Sequence, residues 1–481
     1  MKGYRLWAAA LILCFATSAA PQENAPPLPP GLEAPPKQQG LKSEPALPAG
    51  LEAQSKGDEN APALPPGLIE EENPQDQRED SGEEIEGHFP LDFHGFWELR
   101  TGVRVSDDSV QPSDFSLGET RLQLQTDKSW DRAAIEFTGD FLLDGVTEEV
   151  DFDLRRLGLT TSLTDSLDLG LGRQVLTWGT GDLLFINDLF PKDWQSFLIG
   201  RDVEYLKAPS DALKLSWYND IVNFDLVYTP QFDSDRFITG ERISFWSPRA
   251  GRRIGRDMEV NDDAPDDWFD DDEIAVRLHR TFGSTEVALY GYDGFWKSPA
   301  GQDPVSMEAT FPRLSVYGAS IRGTLGKGVV NAEVGYYDSR DDRKGDDPFV
   351  DNSELRFLIG YERELAKEFT GAFQYYLVHM MDYGSYRDTL PAFIDSRDEN
   401  RHVFTMRITK LLMNQDLTLS SFLFFSPSDS DGYWRPRVSY KINDSWEVSA
   451  GGNLFFGRND YTFYAQFEDN SNVYMSARYS F

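Results

Sequence analysis

The sequence predicts an all-β chain: a transmembrane antiparallel up-and-down β-barrel of about eighteen strands, with sixteen as the alternative, preceded by a disordered Pro-rich segment. Three observations carry this. The chain ends on a strand of strict two-residue period. Segments of the same period recur before it, with short and long connections in alternation. Nothing after the first twenty residues resembles the ~20-residue apolar stretch that a spanning helix needs.

At the amino terminus, Lys2 and Arg5 precede an apolar run from Leu6 to Phe15, and Ser18-Ala19-Ala20 supplies small residues for cleavage. Residues 1–20 therefore read as a secretory signal peptide. Cys14, the only cysteine, lies inside it, so the mature chain has no thiol, disulfide or cysteine metal site.

Residues 21–88 are rich in Pro, Glu, Gln and Gly and poor in aromatics, which is too little apolar surface to offset the entropy of ordering. A short unit recurs there as Leu28-Pro29-Pro30-Gly31-Leu32, Leu47-Pro48-Ala49-Gly50-Leu51 and Leu64-Pro65-Pro66-Gly67-Leu68. The plainer expectation is a stiff spacer. The sharper one is a repeated ligand within residues 24–72 for a periplasmic protein partner, with repetition raising avidity.

Residues 89–481 carry the barrel pattern. Strands are expected near 91–105, 116–127, 132–144, 148–163, 166–178, 211–219, 221–230, 272–282, 285–295, 313–324, 328–339, 353–364, 368–380, 401–412, 416–426, 432–443, 445–457 and 471–481. Every second turn is tight, as at Gly283-Ser284 and Gly326-Lys327, whereas connections such as 179–210 and 231–271 are long. Two places break the phase. Around Leu154-Arg155-Arg156-Leu157 the apolar face switches, which suggests a bulge. At Arg173, simple alternation turns a charge toward lipid.

In the closing strand Val473, Met475, Ala477, Tyr479 and Phe481 share one face. With a terminal Phe481 and Tyr479 two residues before it, this end resembles the assembly signature of Gram-negative outer-membrane β-barrel proteins. The resemblance implies the cell outer membrane as location, with lipid, lipopolysaccharide and the barrel assembly machinery as partners.

The faces expected to point inward bear Arg100, Arg104, Arg121, Arg277, Arg322, Arg356, Arg407, Arg435, Arg437 and Arg478, with carboxylates such as Glu98, Glu119, Asp140 and Glu333 among them. Six of these ten arginines fall on the first two and last three strands, which closure makes neighbours, so a basic stripe along that seam is expected. Arginine rings favour anions and carboxylates. The segment from Gly179 to Trp194, with Asp182, Asn187, Asp188 and Lys192, is too apolar for a solvated loop and is expected to narrow the lumen. Gly172-Arg173-Gln174 running into this Gly-Asp loop resembles the large single-chain barrels of the alginate-export type. That resemblance implies inward arginines lining a conduit for organic anions.

A long loop places Arg249, Arg252, Arg253 and Arg256 before an acidic run from Asp262 to Glu273. It lacks the glycine and ligand order of an EF-hand and is expected to be a solvated loop screened by those arginines. The five histidines show no paired metal spacing, and no nucleophile elbow or phosphate loop occurs. No enzyme, cofactor or metal is expected, and a net charge of −35 argues against nucleic acid. The expected function is an outer-membrane channel, porin or export conduit, for passive passage of anionic or carboxylated solutes. The alternative is a loop-plugged scaffold that recruits a periplasmic transporter or envelope partner through its Pro-rich tail.

Overall fold

The computed structural model describes residues 92–392 and 394–481. The expected signal peptide and the Pro-rich repeats lie outside them. Eighteen antiparallel strands form one sheet: β1 His94–Arg104, β2 Phe115–Ser129, β3 Ala133–Asp144, β4 Glu149–Thr164, β5 Leu167–Val175, β6 Pro209–Trp217, β7 Asn223–Thr229, β8 Glu273–Phe282, β9 Thr285–Phe295, β10 Arg313–Leu325, β11 Gly328–Ser339, β12 Glu354–Ala366, β13 Phe369–Met380, β14 Asn400–Leu412, β15 Leu417–Ser426, β16 Asp431–Lys441, β17 Trp446–Gly457 and β18 Asn472–Ser480.

Each strand pairs with its sequence neighbour, and β18 returns to β1 with Trp97 opposite Tyr479 and Arg100 opposite Ser476. Closure leaves no free edge strand, so each strand's backbone finds ladder partners on both sides. Among the described residues no helix is long and apolar enough to cross a membrane.

The alternation within β1 shows which solvent each face meets. Trp97, Leu99 and Val103 are exposed, whereas Glu98, Arg100 and Arg104 are buried, with Leu99 at 47% and Arg100 at 3%. A water-soluble barrel would reverse this. Apolar side chains outside and charged ones inside are the arrangement for a wall set in lipid. At the rim with the tight turns, Trp446, Tyr479 and Phe481 form an aromatic group, with ring centroids 5.1 and 6.3 Å apart in succession. Gly283 and Gly326 in two of those turns take φ of 61° and 64°, a conformation that favours glycine.

Both phase breaks are explained. Thr138 opposes Arg156 and Gly139 opposes Leu154, so Arg155 is the extra residue of a β-bulge that lets Arg155 and Arg156 both face inward. At Arg173 no bulge intervenes. Its side chain stays outside near the long-loop rim, 2.9 Å from Asp211, which lies directly opposite it on β6.

Candidate functional site

Two long connections reach into the lumen. The first, 176–208, contains the short helix α1 Trp194–Ile199 and a 3₁₀ turn Val203–Leu206. Its Leu176, Ile186 and Phe190 share a buried cluster with inward residues from β6 to β14, among them Ala212, Val227, Tyr292, Leu358 and Val403. Phe197, Leu198, Ile199 and Leu206 share a second cluster with Phe422, Tyr433, Phe455 and Tyr474 on β15 to β18 and Leu117 on β2. The apolar character that marked this segment in the sequence thus serves packing against the inner wall.

The second connection, 230–272, lies against the first. Asp235 accepts from the Lys192 amide at 2.7 Å and from Trp194 Nε1 at 2.9 Å, and Arg236 pairs with Asp153 at 2.7 Å and Asp193 at 3.3 Å. The arginines of this loop do not screen the acidic run as expected. A two-strand ladder, 245–247 with 252–254, turns them elsewhere. Arg252 meets Asp257 at 2.7 Å, and Arg253 meets Asp469 at 2.7 Å and Asp460 at 3.0 Å.

Helix α1 is held by its cap. Asp193 accepts from the Ser196 amide at 2.7 Å, and Gly200 ends the helix in the left-handed region at φ 101°. This stop directs Asp202 onto the seam. There Arg100 of β1, Arg437 of β16 and Arg478 of β18 converge on its carboxylate at 2.9, 2.7 and 2.5 Å. Glu98 joins from the wall, 3.0 Å from Arg100 and 3.1 Å from Arg478. Burial opposes ionisation of Asp202, but Arg437, Arg100 and Arg478 outweigh it and hold the carboxyl well below its ordinary range. Burial pushes the neighbouring Glu204 carboxyl up, with Arg478 opposing.

The other arginines singled out in the sequence also sit on the inner face. Arg121 meets Asp140 at 2.5 Å and lies 4.1 Å from the Tyr205 ring centroid, with Arg155 at 4.6 Å from the same ring. Arg104 donates to the Arg242 carbonyl at 2.7 Å. Arg277 pairs with Glu286 at 2.8 Å, and Arg356 with Glu354 at 2.7 Å, over the Tyr337 ring. Arg407 meets Asp182 at 2.5 Å. Arg435 stacks 4.1 Å from the Phe197 ring centroid. Arg322 and Arg435 stand in no ion pair among the described residues.

Of the four loop residues singled out, Asp182 faces Arg407 and Asn187 faces Glu333 at 2.8 Å. Asp188 and Lys192 pair with each other at 2.9 Å. The basic seam is therefore not bare: carboxylates from wall and loop answer it. Sequence reasoning missed Asp202, Glu204 and Tyr205 as partners of the seam. They follow an apolar run, and that run was the available signal that they too would lie inside.

A closed eighteen-strand barrel, apolar outside and charged within, with a connection folded into its bore, is the architecture of the Gram-negative outer-membrane porin barrels. One solved structure agrees at the level of fold. Acinetobacter baumannii OccAB4 superposes with a TM-score of 0.51 at 9% identity, covering 81% of this chain and 98% of that one. Acinetobacter baumannii OccAB3 (TM-score 0.48, 10% identity, 82% and 99% covered) and Pseudomonas aeruginosa OccK11 (0.46, 8%, 81% and 95%) are looser matches. No protein-family model matches the sequence, and no curated protein is significantly similar to it.

Proposed function

We propose that the protein is a passive outer-membrane channel whose bore is narrowed by the 176–208 loop and whose preferred solutes are anionic or carboxylated. The single observation that carries the preference is the convergence of Arg100, Arg437 and Arg478 on the Asp202 carboxylate. The wall has built a carboxylate site and filled it with a tethered carboxylate. Arg322, with Glu286 opposite it on β9, and Arg435, stacked on Phe197, add inward charge outside that cluster. Sites of this kind speed permeation when they attract weakly enough to release. The long-loop rim faces the exterior and the tight-turn rim the periplasm, where the Pro-rich segment emerges and captures a protein partner. Tyr479 and Phe481 address the chain to the assembly machinery.

The circumferential contact of the 176–208 loop favours a second reading, a loop-closed barrel that serves as a docking scaffold. Planar-bilayer recording separates the two. Open-channel steps with anion-favouring reversal potentials support the channel, and a shift toward cations on replacing Arg322 and Arg435 by Gln supports the preference. A silent, tightly sealed protein excludes it.

A further inference from the structure

The inner wall carries a pit opposite Ile186 and Asn187 of the inserted loop. Gly318 on β10 and Gly335 on β11 are direct cross-strand partners, both inward-facing. Two glycines side by side leave a gap in the wall at this point. Ile186 and Asn187 fill it. A Cβ on Gly335 would stand 2.6 Å from Ile186 Cγ2, and one on Gly318 would overlap Asn187 Oδ1. Neither contact has room to give, because both loop residues are buried.

Glu333 lies beside this pit on β11, 2% exposed. Its Oε1 accepts from the Thr180 amide and, at 3.0 and 2.7 Å, from Thr180 Oγ1 and the Gly181 amide. Oε2 accepts from Asn187 Nδ2 at 2.8 Å and the Asn187 amide at 3.3 Å. A wall carboxylate thus takes five donors from two separate stretches of one loop. Tyr337 closes the arrangement by donating to the Ile186 carbonyl at 2.5 Å. A buried carboxylate with this many donors costs far less than a bare one, and removing it would strand all of them.

We propose that Gly318, Gly335 and Glu333 form a socket that fixes the loop tip in the bore, and that Glu333 is the positioning residue of the constriction. This rests on the channel reading for its consequence, the width of the bore, but not for the socket itself. Glu333→Gln is the sharp variant, because an amide presents its own N–H where the loop presents donors. Gly335→Val fills the pit, and adding Ile186→Ala vacates the matching space.

The reporter is a single thiol at Leu358. This wall residue is fully buried beneath the loop, where a Cβ on Gly181 would approach it to 3.1 Å. Cys14, the only natural cysteine, falls in the expected signal peptide. In full-length protein reconstituted in liposomes, Leu358→Cys should resist a water-soluble maleimide. Adding Glu333→Gln or Gly335→Val should speed labelling about tenfold or more, a factor equivalent to about 1.4 kcal/mol, with strand content unchanged by circular dichroism. Ile186→Ala should restore protection to the Gly335→Val protein, and single-channel conductance should rise and fall with labelling. Fast labelling in the parent, or equal labelling in all variants, overturns the socket. Should Gly335→Val not assemble, Glu333→Gln decides alone. A parent that never conducts, with variants that label and conduct, removes the channel reading and leaves the socket standing as the fastening of a plug.

Discussion

Asp202 and Arg478 meet at 2.5 Å although 276 residues separate them, and this contact ties the inserted loop to the strand that closes the barrel. Removing one member of a buried charge cluster costs about 3–5 kcal/mol, because the remaining charges lose their compensation. Asp202→Asn leaves Arg100 and Arg478 with Glu98, and Arg437 with Glu447 at 3.8 Å, as their wall carboxylates. The expected outcome is a shift of reversal potential toward anions in bilayer recordings, with earlier proteolytic nicking of the 200–208 segment. An unchanged reversal potential would show that this cluster lies off the conduction path.

Acid should act on the loop in two separate steps. Burial raises the Asp182 carboxyl above its ordinary pKa despite Arg407, whereas Asp202 is held far below. A raised pKa means that folding favours the protonated Asp182, so acidification through that window removes a cost and does not destabilise the barrel. It does free the Arg407 charge. Anion preference should therefore increase at a pH above the ordinary aspartate range. The Asp202 cluster, whose stabilising contribution is lost only as pH falls through its much lower value, should persist. Asp182→Asn should abolish the first step in a pH titration of reversal potential.

Tyr205 is nearly enclosed, its ring between the guanidinium groups of Arg121 and Arg155, which fastens the 3₁₀ turn to β2 and β4. Truncating a buried aromatic costs about 3–5 kcal/mol, and each cation–π contact accounts for about 0.5–2 kcal/mol of such a site. Tyr205→Ala should lower the thermal midpoint and expose the turn to protease, and Tyr205→Phe should do little. Equal sensitivity of the two variants would assign the effect to the hydroxyl, which lies 3.3 Å from Gln123 Nε2.

The strands were legible because lipid enforces a period of two on one face and the tight turns punctuate it. All eighteen fall within three residues of the expected bounds at each end. The bulge at Arg155 was legible for the same reason, as a slip of phase. The partners of the arginine seam were not. Asp202 meets Arg100 and Arg478 only because the loop turns onto the seam after Gly200, and no periodicity links positions so far apart. Asn187 against Gly318 was hidden likewise, since a glycine on an inward face gives no sign of what fills its gap.

At the tight-turn rim, Phe481 packs toward Tyr479, which packs on Trp446, and the Phe481 amide donates to the Gly95 carbonyl at 3.0 Å. The terminal residue therefore helps zip β18 to β1. Deleting Phe481 removes both the ring and that backbone bond, and Phe481→Ala removes the ring alone. The deletion should depress the yield of folded barrel in membranes more than the substitution does. Equal yields of both variants and the parent in a membrane-fraction assay would refute a role for this residue in assembly.

Arg173 and Asp211 form an ion pair on the outer surface, where a charge is costly to the degree that lipid surrounds it. Cationic substitutions on a barrel's lipid face cost about 2–4 kcal/mol at midplane and about 0–1 kcal/mol near the interfaces. The pair stands near the long-loop rim, and Arg173 also donates to the Leu154 carbonyl at 2.7 Å, which spares it the full penalty. Replacing one partner strands the other. Arg173→Leu and Asp211→Leu should each destabilise the folded barrel, and the double variant should recover most of the loss, since two leucines suit the same surface. A double-mutant cycle measured by denaturant unfolding in lipid vesicles should give a coupling of about 0.5–3 kcal/mol, the range for residues in direct contact. Strict additivity would mean that the two side chains are solvated separately and that the wall tolerates each charge alone.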